Sequence, residues 1–280
     1  MKLMSITLVI VARSILKNNK YEVKGMKVGI CTAIGNVRKM EEFGFDYIES
    51  PVVKTSAMEE KEFTEAVRLV EGSSLRCEAF NVLFPGDIRL TGPDVDPNKI
   101  REYLRKAFPR ISRLGAKVAV FGSGGARKIP EGWNREEAWK QFVDAAGIVG
   151  DVAAAYGLTI AMEPLNRKET NILNSVEEGF RFVQEVNHPN IQLLADFYHM
   201  RMENESMNIL MKAGPVLRHL HIANSHGRVY PLDPSEDSYP EFFEALKNAG
   251  YEGRISIEAG TEDMDREAPI ALKLLRKLTA

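Results

Sequence analysis

Four residues whose side chains bind divalent metals each end a short, apolar run in the second half of the chain. They are Glu163, Asp196, His221 and Glu258, and consecutive members lie 25 to 37 residues apart. A βαβ unit takes roughly 30 residues, so each of the four residues is expected to close one strand of a series. In a parallel barrel the carboxyl ends of all strands meet at one face. Three carboxylates and one imidazole converging there would suit Mn²⁺, Mg²⁺, Co²⁺ or Zn²⁺.

The four runs have the length and composition of buried strands. They are Thr159–Glu163, Ile191–Asp196, Leu217–His221 and Arg254–Glu258. His219 and His221 share one face by strand alternation, and His221 is the predicted ligand because it lies at the strand end. A lone acidic residue or histidine in such a place is more often structural. It is the set of four that indicates a metalloenzyme.

The chain from Met26 onward alternates short β-rich runs with helical patterns. The earlier predicted strands are Lys27–Thr32, Tyr47–Ser50, Arg76–Phe80 and Lys117–Phe121. The predicted helices are Val37–Phe43, Glu60–Glu71, Pro97–Leu114, Arg135–Tyr156, Ser175–Val186, Ser206–Ala213, Tyr239–Ala249 and Arg266–Leu278. Eight strands alternating with eight helices favour an α/β fold, a single (β/α)8 TIM barrel. A doubly wound open sheet is the alternative, but the first βα turn lacks a dinucleotide fingerprint.

Several predicted helix ends carry a local signal. Asp96 before Pro97 is typical of an N-cap followed by proline at the first helical position. Ser175 with Glu178 three residues later predicts a capping box, and Pro109 predicts a kink or a break. Glycines that suit a left-handed cap follow three of the helices, at Gly115, Gly157 and Gly250.

Composition limits the function classes. With 44% hydrophobic and 27% charged residues, the chain has the composition of an ordinary soluble globular protein. Its net charge of −2 over 280 residues gives no electrostatic case for nucleic acid or an anionic membrane. Its two cysteines, Cys31 and Cys77, form no disulfide framework, so a reducing cytoplasm is expected.

The first 25 residues differ from the rest. An apolar stretch around Leu8–Ala12 resembles a signal peptide superficially, but it lacks a convincing cleavage site. It is also too short to span a bilayer, which needs about 20 residues. We expect residues 1–25 to be an extension from an upstream start codon or a poorly packed arm, and residues 26–280 to form the barrel.

Four motifs connect the chain with a known family: EPLNR at 163–167, DFYHM at 196–200, HLHI at 219–222 and SIE at 256–258. From Met26 onward the chain resembles the xylose-isomerase-like superfamily, specifically the ketose 3-epimerases of the D-tagatose 3-epimerase type. The resemblance implies that Glu163, Asp196, His221 and Glu258 bind one divalent metal, with Mn²⁺ expected first. It also implies that Glu163 and Glu258 act as the acid/base pair.

Elementary chemistry agrees with those roles. Epimerisation next to a ketone removes a weakly acidic C–H proton and returns one to the opposite face. A divalent metal on the carbonyl and the neighbouring hydroxyl oxygen would stabilise the cis-enediolate, and two carboxylates would serve the two faces.

The resemblance also implies substrate contacts. His199 matches a histidine that hydrogen-bonds a substrate oxygen, and Glu169 matches a carboxylate near the sugar's terminal hydroxyls. Arg228 resembles an arginine that contacts substrate oxygens, but it lies one residue further along than expected, so His226 is an alternative.

Two further positions are expected near the mouth of the barrel. Cys31 occupies a rim position where relatives often have an aromatic residue, so it is expected to shape the pocket. Trp133, beyond the glycine-rich loop at 121–127, is a candidate lid, with ordinary packing as the alternative.

Other members of the superfamily remain alternatives, namely hydroxypyruvate isomerases and inosose dehydratases, which share the ligand set. A trinuclear zinc nuclease would need several early histidines, and this chain has none before His188. A catalytically inert sugar-binding barrel would be expected to have lost part of the set, which is intact.

The resemblance implies a non-phosphorylated keto sugar of the D-tagatose or D-fructose type as the substrate. The chain also resembles the 5-keto-L-gluconate epimerase branch of the family, which implies a keto sugar acid of the 5-keto-L-gluconate or D-tagaturonate type as the alternative. Arg228, Arg127 or Arg167 could pair with the carboxylate of such an acid. A homodimer or homotetramer is expected by resemblance.

Overall fold

Eight parallel strands close into a barrel in the part of the chain that the computed structural model describes, residues 25–280. The strands follow chain order, and β8 pairs with β1. They are β1 Lys27–Cys31, β2 Tyr47–Pro51, β3 Cys77–Asn81, β4 Val118–Phe121, β5 Thr159–Met162, β6 Ile191–Asp196, β7 Leu217–Ile222 and β8 Arg254–Ile257. The predicted fold is therefore confirmed, whereas the prediction for residues 1–25 lies, apart from Gly25, outside the described residues.

Helices surround the barrel. The described helices are α1 Val37–Phe43, α2 Val52–Ala57, α3 Glu60–Glu71, α4 Pro97–Arg113, α5 Gly124–Arg127, α6 Arg135–Ala154, α7 Val176–Val186, α8 Phe197–Met202, α9 Ile209–Ala213, α10 Tyr239–Asn248 and α11 Met264–Leu278. Every predicted helix is present. The short helices α2, α5 and α8 were not predicted, and each begins within three residues of a strand end.

Two predictions at helix ends need correction. Pro109 does not break α4, which continues to Arg113. Buried apolar residues on both sides of the proline, including Leu104 and Ile111, hold the helix against the barrel, and this packing outweighs one missing backbone hydrogen bond. The predicted helix at Ser206 begins only at Ile209.

The predicted caps are mostly found. The side chain of Asp96 accepts hydrogen bonds from the first turn of α4, and Ser175 Oγ accepts one from the backbone of Glu178. The capping box is incomplete, because the Glu178 carboxylate accepts from Asn174 N at 2.6 Å. The three predicted glycine caps all have positive φ, at Gly115, Gly157 and Gly250.

The interior of the barrel has an apolar layer below a polar one. Tyr47, Ala79, Val118, Val120, Ala161 and Leu194 form the apolar cluster. Gly29 admits the Tyr47 ring, since a β-carbon there would lie 2.3 Å from it. The polar layer contains the fully buried Glu49, His219 and Ser256 and supports the carboxyl ends of the strands. None of the helices within residues 25–280 has the length and apolar character needed to cross a membrane.

Candidate metal centre and active site

The four candidate metal ligands converge at the carboxyl end of the barrel. Glu163 directly follows β5, Asp196 ends β6, His221 lies one residue before the end of β7, and Glu258 directly follows β8. Each offers one ligand atom, and these four atoms all lie within 4.8 Å of one another. The convergence follows from the parallel register, because it places four consecutive strand ends side by side.

His221 stands between two of the carboxylates. Its Nδ1 lies 3.0 Å from Glu163 Oε1 and 3.4 Å from Glu258 Oε2. The ring is fully buried. Burial alone would favour the neutral ring, but the charges of Glu258 and Glu49 raise the pKa of His221 well above its usual value. Without a metal ion, therefore, a proton on His221 offsets part of the negative charge.

The carboxylate of Asp196 has one oxygen positioned to bind a cation. Its Oδ1 accepts a hydrogen bond from Tyr198 N at 2.8 Å, which caps α8. Its Oδ2 is buried, and no other described residue forms a hydrogen bond with it. Burial and the neighbouring Glu163 carboxylate raise the pKa of Asp196 to about 7. A buried oxygen without a partner, among two other carboxylates and an imidazole, fits a divalent cation bound to this donor set.

Glu258 is held by two hydrogen-bond donors. Asn81 Nδ2 donates to its Oε1 at 2.9 Å, and Arg228 donates to its Oε2 at 2.7 Å. Despite burial, the charges of His221 and then Arg228 lower the pKa of Glu258 to about 2. By contrast, burial and the charge of Glu258 raise the pKa of Glu163. The two carboxylates thus occupy different electrostatic environments in the metal-free protein.

Arg228, and not His226, joins this cluster. Its guanidinium donates to Glu169 Oε1 at 3.1 Å as well as to Glu258, and it lies over the Tyr198 ring at 4.7 Å. Arg228 has a φ of +53°, a left-handed conformation uncommon outside glycine. The side chain of His226 is 73% exposed, and its nearest carboxylate is that of Asp237 at 4.0 Å.

His199 presents a hydrogen-bond donor to the cluster. Its Nδ1 accepts from the backbone N–H of Asn166 at 3.2 Å, so the network places the ring proton on Nε2. Nε2 is buried 3.5 Å from Asp196 Oδ2, and within residues 25–280 it forms no hydrogen bond. Burial and the charge of Arg228 lower the pKa of His199 to about 3, so the ring is neutral. Asn166 also donates to Glu169 at 3.1 Å.

The remaining predicted positions are arranged differently. Cys31 ends β1 beside the cluster, with its Sγ 3.6 Å from Asn81 Nδ2, and burial and the charge of Glu49 raise the pKa of its thiol. Trp133 packs its half-buried ring against the main hydrophobic core, and no hydrogen bond joins its indole N–H to another described residue.

The other two arginines considered from the sequence point elsewhere. Arg127 is fully buried and donates to the backbone carbonyls of Phe121 and Leu173. Arg167 pairs with the Glu203 carboxylate, and its side chain is 65% exposed. Of the three, only Arg228 contacts the carboxylate cluster.

Sequence reasoning missed three residues at this site. Glu49 lies within β2 and accepts a hydrogen bond from His221. Asn81 ends β3 and donates a hydrogen bond to Glu258. Gly122 directly follows β4 and lies against the side chain of Glu163. A signal existed for two of them. A carboxylate inside a predicted buried strand, such as Glu49, needs a hydrogen-bond or charge partner. Asn81 directly follows a predicted strand and is therefore expected at the same face as the candidate ligands.

Comparisons with known proteins match most of the chain. Residues 37–278 match the family described as xylose isomerase-like TIM barrel. An L-ribulose 3-epimerase from Methylomonas sp. is 33% identical over 228 residues, covering 79% of this chain and 76% of that protein. A ketose 3-epimerase from Arthrobacter globiformis is 28% identical, with 80% and 76% covered. The crystal structure of a Methylomonas D-allulose 3-epimerase with D-allulose superposes with a TM-score of 0.78 at 27% identity, covering 90% of this chain and 97% of that one.

Proposed function

The chain belongs to the xylose isomerase-like TIM barrel family, its relatives include proteins named as ketose epimerases, and we propose that it is a divalent-metal-dependent ketose 3-epimerase. It inverts the carbon next to the ketone of a free keto sugar. The enzyme class expected from the sequence, an isomerase of the epimerase type, is confirmed at this family level. The metal, the acid/base roles and the substrate are the proposal.

One observation carries the proposal. Two carboxylates, Glu163 and Glu258, approach the same ring nitrogen of His221 from different strands, at 3.0 and 3.4 Å. Epimerisation needs a base at one face of the reacting carbon and an acid at the other. We assign these roles to Glu163 and Glu258, which exchange them with the direction of the reaction.

Glu163, Asp196, His221 and Glu258 would hold the metal ion, and we propose Mn²⁺ as the native ion because oxygen ligands dominate the set. When bound, the ion supplies a Lewis acid that polarises the ketone and stabilises negative charge developing on its oxygen. Glu163, Asp196 and His221 are buried, so few water molecules would compete for the proton on that side of the cluster.

Three other residues orient the sugar in this proposal. The Nε2–H of His199 donates a hydrogen bond to a substrate oxygen, a role supported by its buried and unpartnered position. Arg228 and Glu169, paired at 3.1 Å, offer a donor and an acceptor to hydroxyl groups further along the sugar. Cys31 and Trp133 remain proposed pocket residues.

The charge balance favours a neutral ketose over a keto sugar acid. Three carboxylates face one guanidinium at the cluster, and that guanidinium already contacts two carboxylates. Arg127 and Arg167 make their contacts elsewhere. None of these three arginines is therefore free to pair with a substrate carboxylate or phosphate. We also propose that the protein is a homo-oligomer, because it resembles oligomeric epimerases. We propose a cytoplasmic location, because its two cysteines form no disulfide framework.

The test is product analysis with a panel of sugars. Purified protein, stripped of metal and reloaded with Mn²⁺, is incubated with D-fructose, D-tagatose, D-ribulose and D-tagaturonate, and the products are separated by chromatography. The proposal predicts C3 epimers from the neutral ketoses, no product without metal, and none from Glu163→Gln or Glu258→Gln. Glu203→Gln, a carboxylate that pairs with Arg167, is the matched control and keeps activity. Aldose formation or dehydration instead would contradict the proposal.

A further inference from the structure

Glu49 is a fully buried carboxylate to which the proposed reaction assigns no role. It lies in the middle of β2, with its side chain inside the barrel and no exposed surface. Removing a carboxylate from water is costly unless its oxygens are hydrogen-bonded. An apolar residue would fill the same space without this desolvation cost. The hydrogen-bond partners of Glu49 therefore indicate what the carboxylate does.

Three donors surround this carboxylate. Oε1 receives one hydrogen bond, from His221 Nε2 at 2.9 Å. Oε2 receives two, from His219 Nε2 at 2.8 Å and from Ser256 Oγ at 2.6 Å. The hydroxyl of Tyr47 lies 2.8 Å from Ser256 Oγ. The network is anchored on strands β2, β7 and β8, so the carboxylate is fixed in position.

The contact at Oε1 determines the tautomer of His221. An ionised carboxylate can only accept hydrogen bonds, so the Nε2 atom of His221 must carry a proton. The other ring nitrogen, Nδ1, is the atom that faces Glu163 and Glu258. Only with the proton on Nε2 can Nδ1 present a lone pair to a cation among these carboxylates.

We propose that Glu49 is a positioning residue of the metal centre, which fixes the His221 ring and its tautomer so that Nδ1 binds the metal. This inference rests on the proposed function for the presence of the metal. A carboxylate behind a ligating histidine raises the basicity of the ring and holds its orientation. Glu49 itself touches neither the reacting carbon nor the ion.

Two variants separate this role from general support of the core. Glu49→Gln keeps the size of the side chain but places an amide between donors that all need acceptors. Ser256→Ala removes one donor from Oε2 and leaves the Oε1 contact with His221 unchanged. Mn²⁺ affinity is measured by isothermal titration calorimetry for both variants and the wild type. We expect a loss of about 10- to 100-fold for Glu49→Gln and a much smaller change for Ser256→Ala.

A second measurement needs no variant. In ¹⁵N-histidine-labelled wild-type protein loaded with diamagnetic Zn²⁺, ¹H–¹⁵N correlation spectra report which ring nitrogen of His221 carries the proton. Protonation at Nε2 supports the inference, and protonation at Nδ1 overturns it even if Glu49→Gln does not fold. Wild-type Mn²⁺ affinity in Glu49→Gln also overturns it. Either result leaves the proposed epimerase standing, whereas absence of epimer formation by metal-loaded wild type contradicts the proposed function alone.

Discussion

The carboxylate of Glu163 lies directly against the backbone of Gly122. A β-carbon built on Gly122 would be 2.2 Å from Glu163 Oε2, closer than any two such atoms can approach. Gly122 follows β4, and Glu163 follows the neighbouring strand β5. The close approach explains a glycine at this position, since every other residue would occupy the space of the proposed acid/base group.

Gly122→Ala is expected to displace the Glu163 carboxylate and leave the fold intact, because the atom it meets is the free end of a flexible side chain. A displacement of about 1 Å at a reacting group can lower the rate about a hundredfold. The measurement is kcat with the preferred ketose, together with the melting temperature. Gly125→Ala is the matched control, since a β-carbon there meets nothing within 4 Å. Equal activity of the two variants would contradict the assignment of Glu163.

Asn81→Ala removes the donor that holds Glu258 Oε1 at 2.9 Å. A hydrogen bond to a charged group contributes about 1.5–3 kcal/mol, so we expect kcat/KM to fall by about ten- to a hundredfold. Asn36→Ala is the control, because its amide donates to Thr32 Oγ1 and contacts no carboxylate of the cluster. A loss of activity equal in both variants would show that Asn81 has no specific relation to Glu258.

Arg228→Met tests whether Arg228 or His226, which both follow β7, contacts the substrate oxygens. Its guanidinium contacts Glu258 and Glu169, whereas His226 is exposed. We expect the KM for the ketose to rise about tenfold or more in Arg228→Met, by loss of charge-assisted hydrogen bonds, and to stay unchanged in His226→Ala. Steady-state kinetics would contradict this account if His226→Ala were the impaired variant.

Removal of the metal should lower the thermal stability. A bound cation relieves repulsion among three buried or partly buried carboxylates, and a ligand at 100 times its Kd stabilises the native state by about 2.7 kcal/mol. Differential scanning calorimetry of wild type with Mn²⁺ and with chelator should show a lower melting temperature after chelation. The Asp196→Asn variant is expected to show a much smaller difference. A wild-type melting temperature that is insensitive to chelation would contradict the metal site.

Glu41, which lies away from the site, makes a pH-dependent contribution to the free energy of unfolding. Hydrogen bonds from Ser74 and Ser73 lower the pKa of Glu41 to about 2, below the value near 4.3 of an unfolded chain. The resulting stability is present above the unfolded pKa and is lost as the pH falls through the folded pKa. In urea titrations, Glu41→Gln should be less stable than wild type at pH 7, and the difference should shrink toward pH 2. Glu42→Gln is the control on the same helix, and a difference independent of pH would contradict the assignment.

The barrel and its candidate ligands could be predicted because both follow local rules. A residue at the carboxyl end of a parallel strand lies at the same face of the barrel as the other strand ends, so the positions of Asp196 and Glu258 can be predicted from short runs. Strand alternation places His219 and His221 on one face, and the position at the strand end distinguishes His221 from the deeper His219. The start of α4 is also predicted correctly, because the N-cap residue Asp96 marks it in the sequence.

The supporting residues depend on distances between strands that are far apart in the chain. Glu49 and His221 are 172 residues apart, and Asn81 and Glu258 are 177 apart. No local pattern specifies those contacts, since they form across the barrel interior only once β8 pairs with β1 and closes the barrel. Arg228 could not be separated from His226 for a related reason, because the left-handed backbone at Gly227 and Arg228 redirects the side chain.

The most direct measurement of the central claim is solvent exchange at the reacting carbon. Metal-loaded protein is incubated with D-fructose in D₂O, and the recovered substrate and product are examined by NMR. Two-carboxylate epimerisation predicts deuterium at C3 of both sugars, dependent on the metal and absent in Glu163→Gln and Glu258→Gln. Deuterium at C1 with aldose formation, or an active enzyme whose product carries no deuterium at C3, would contradict it.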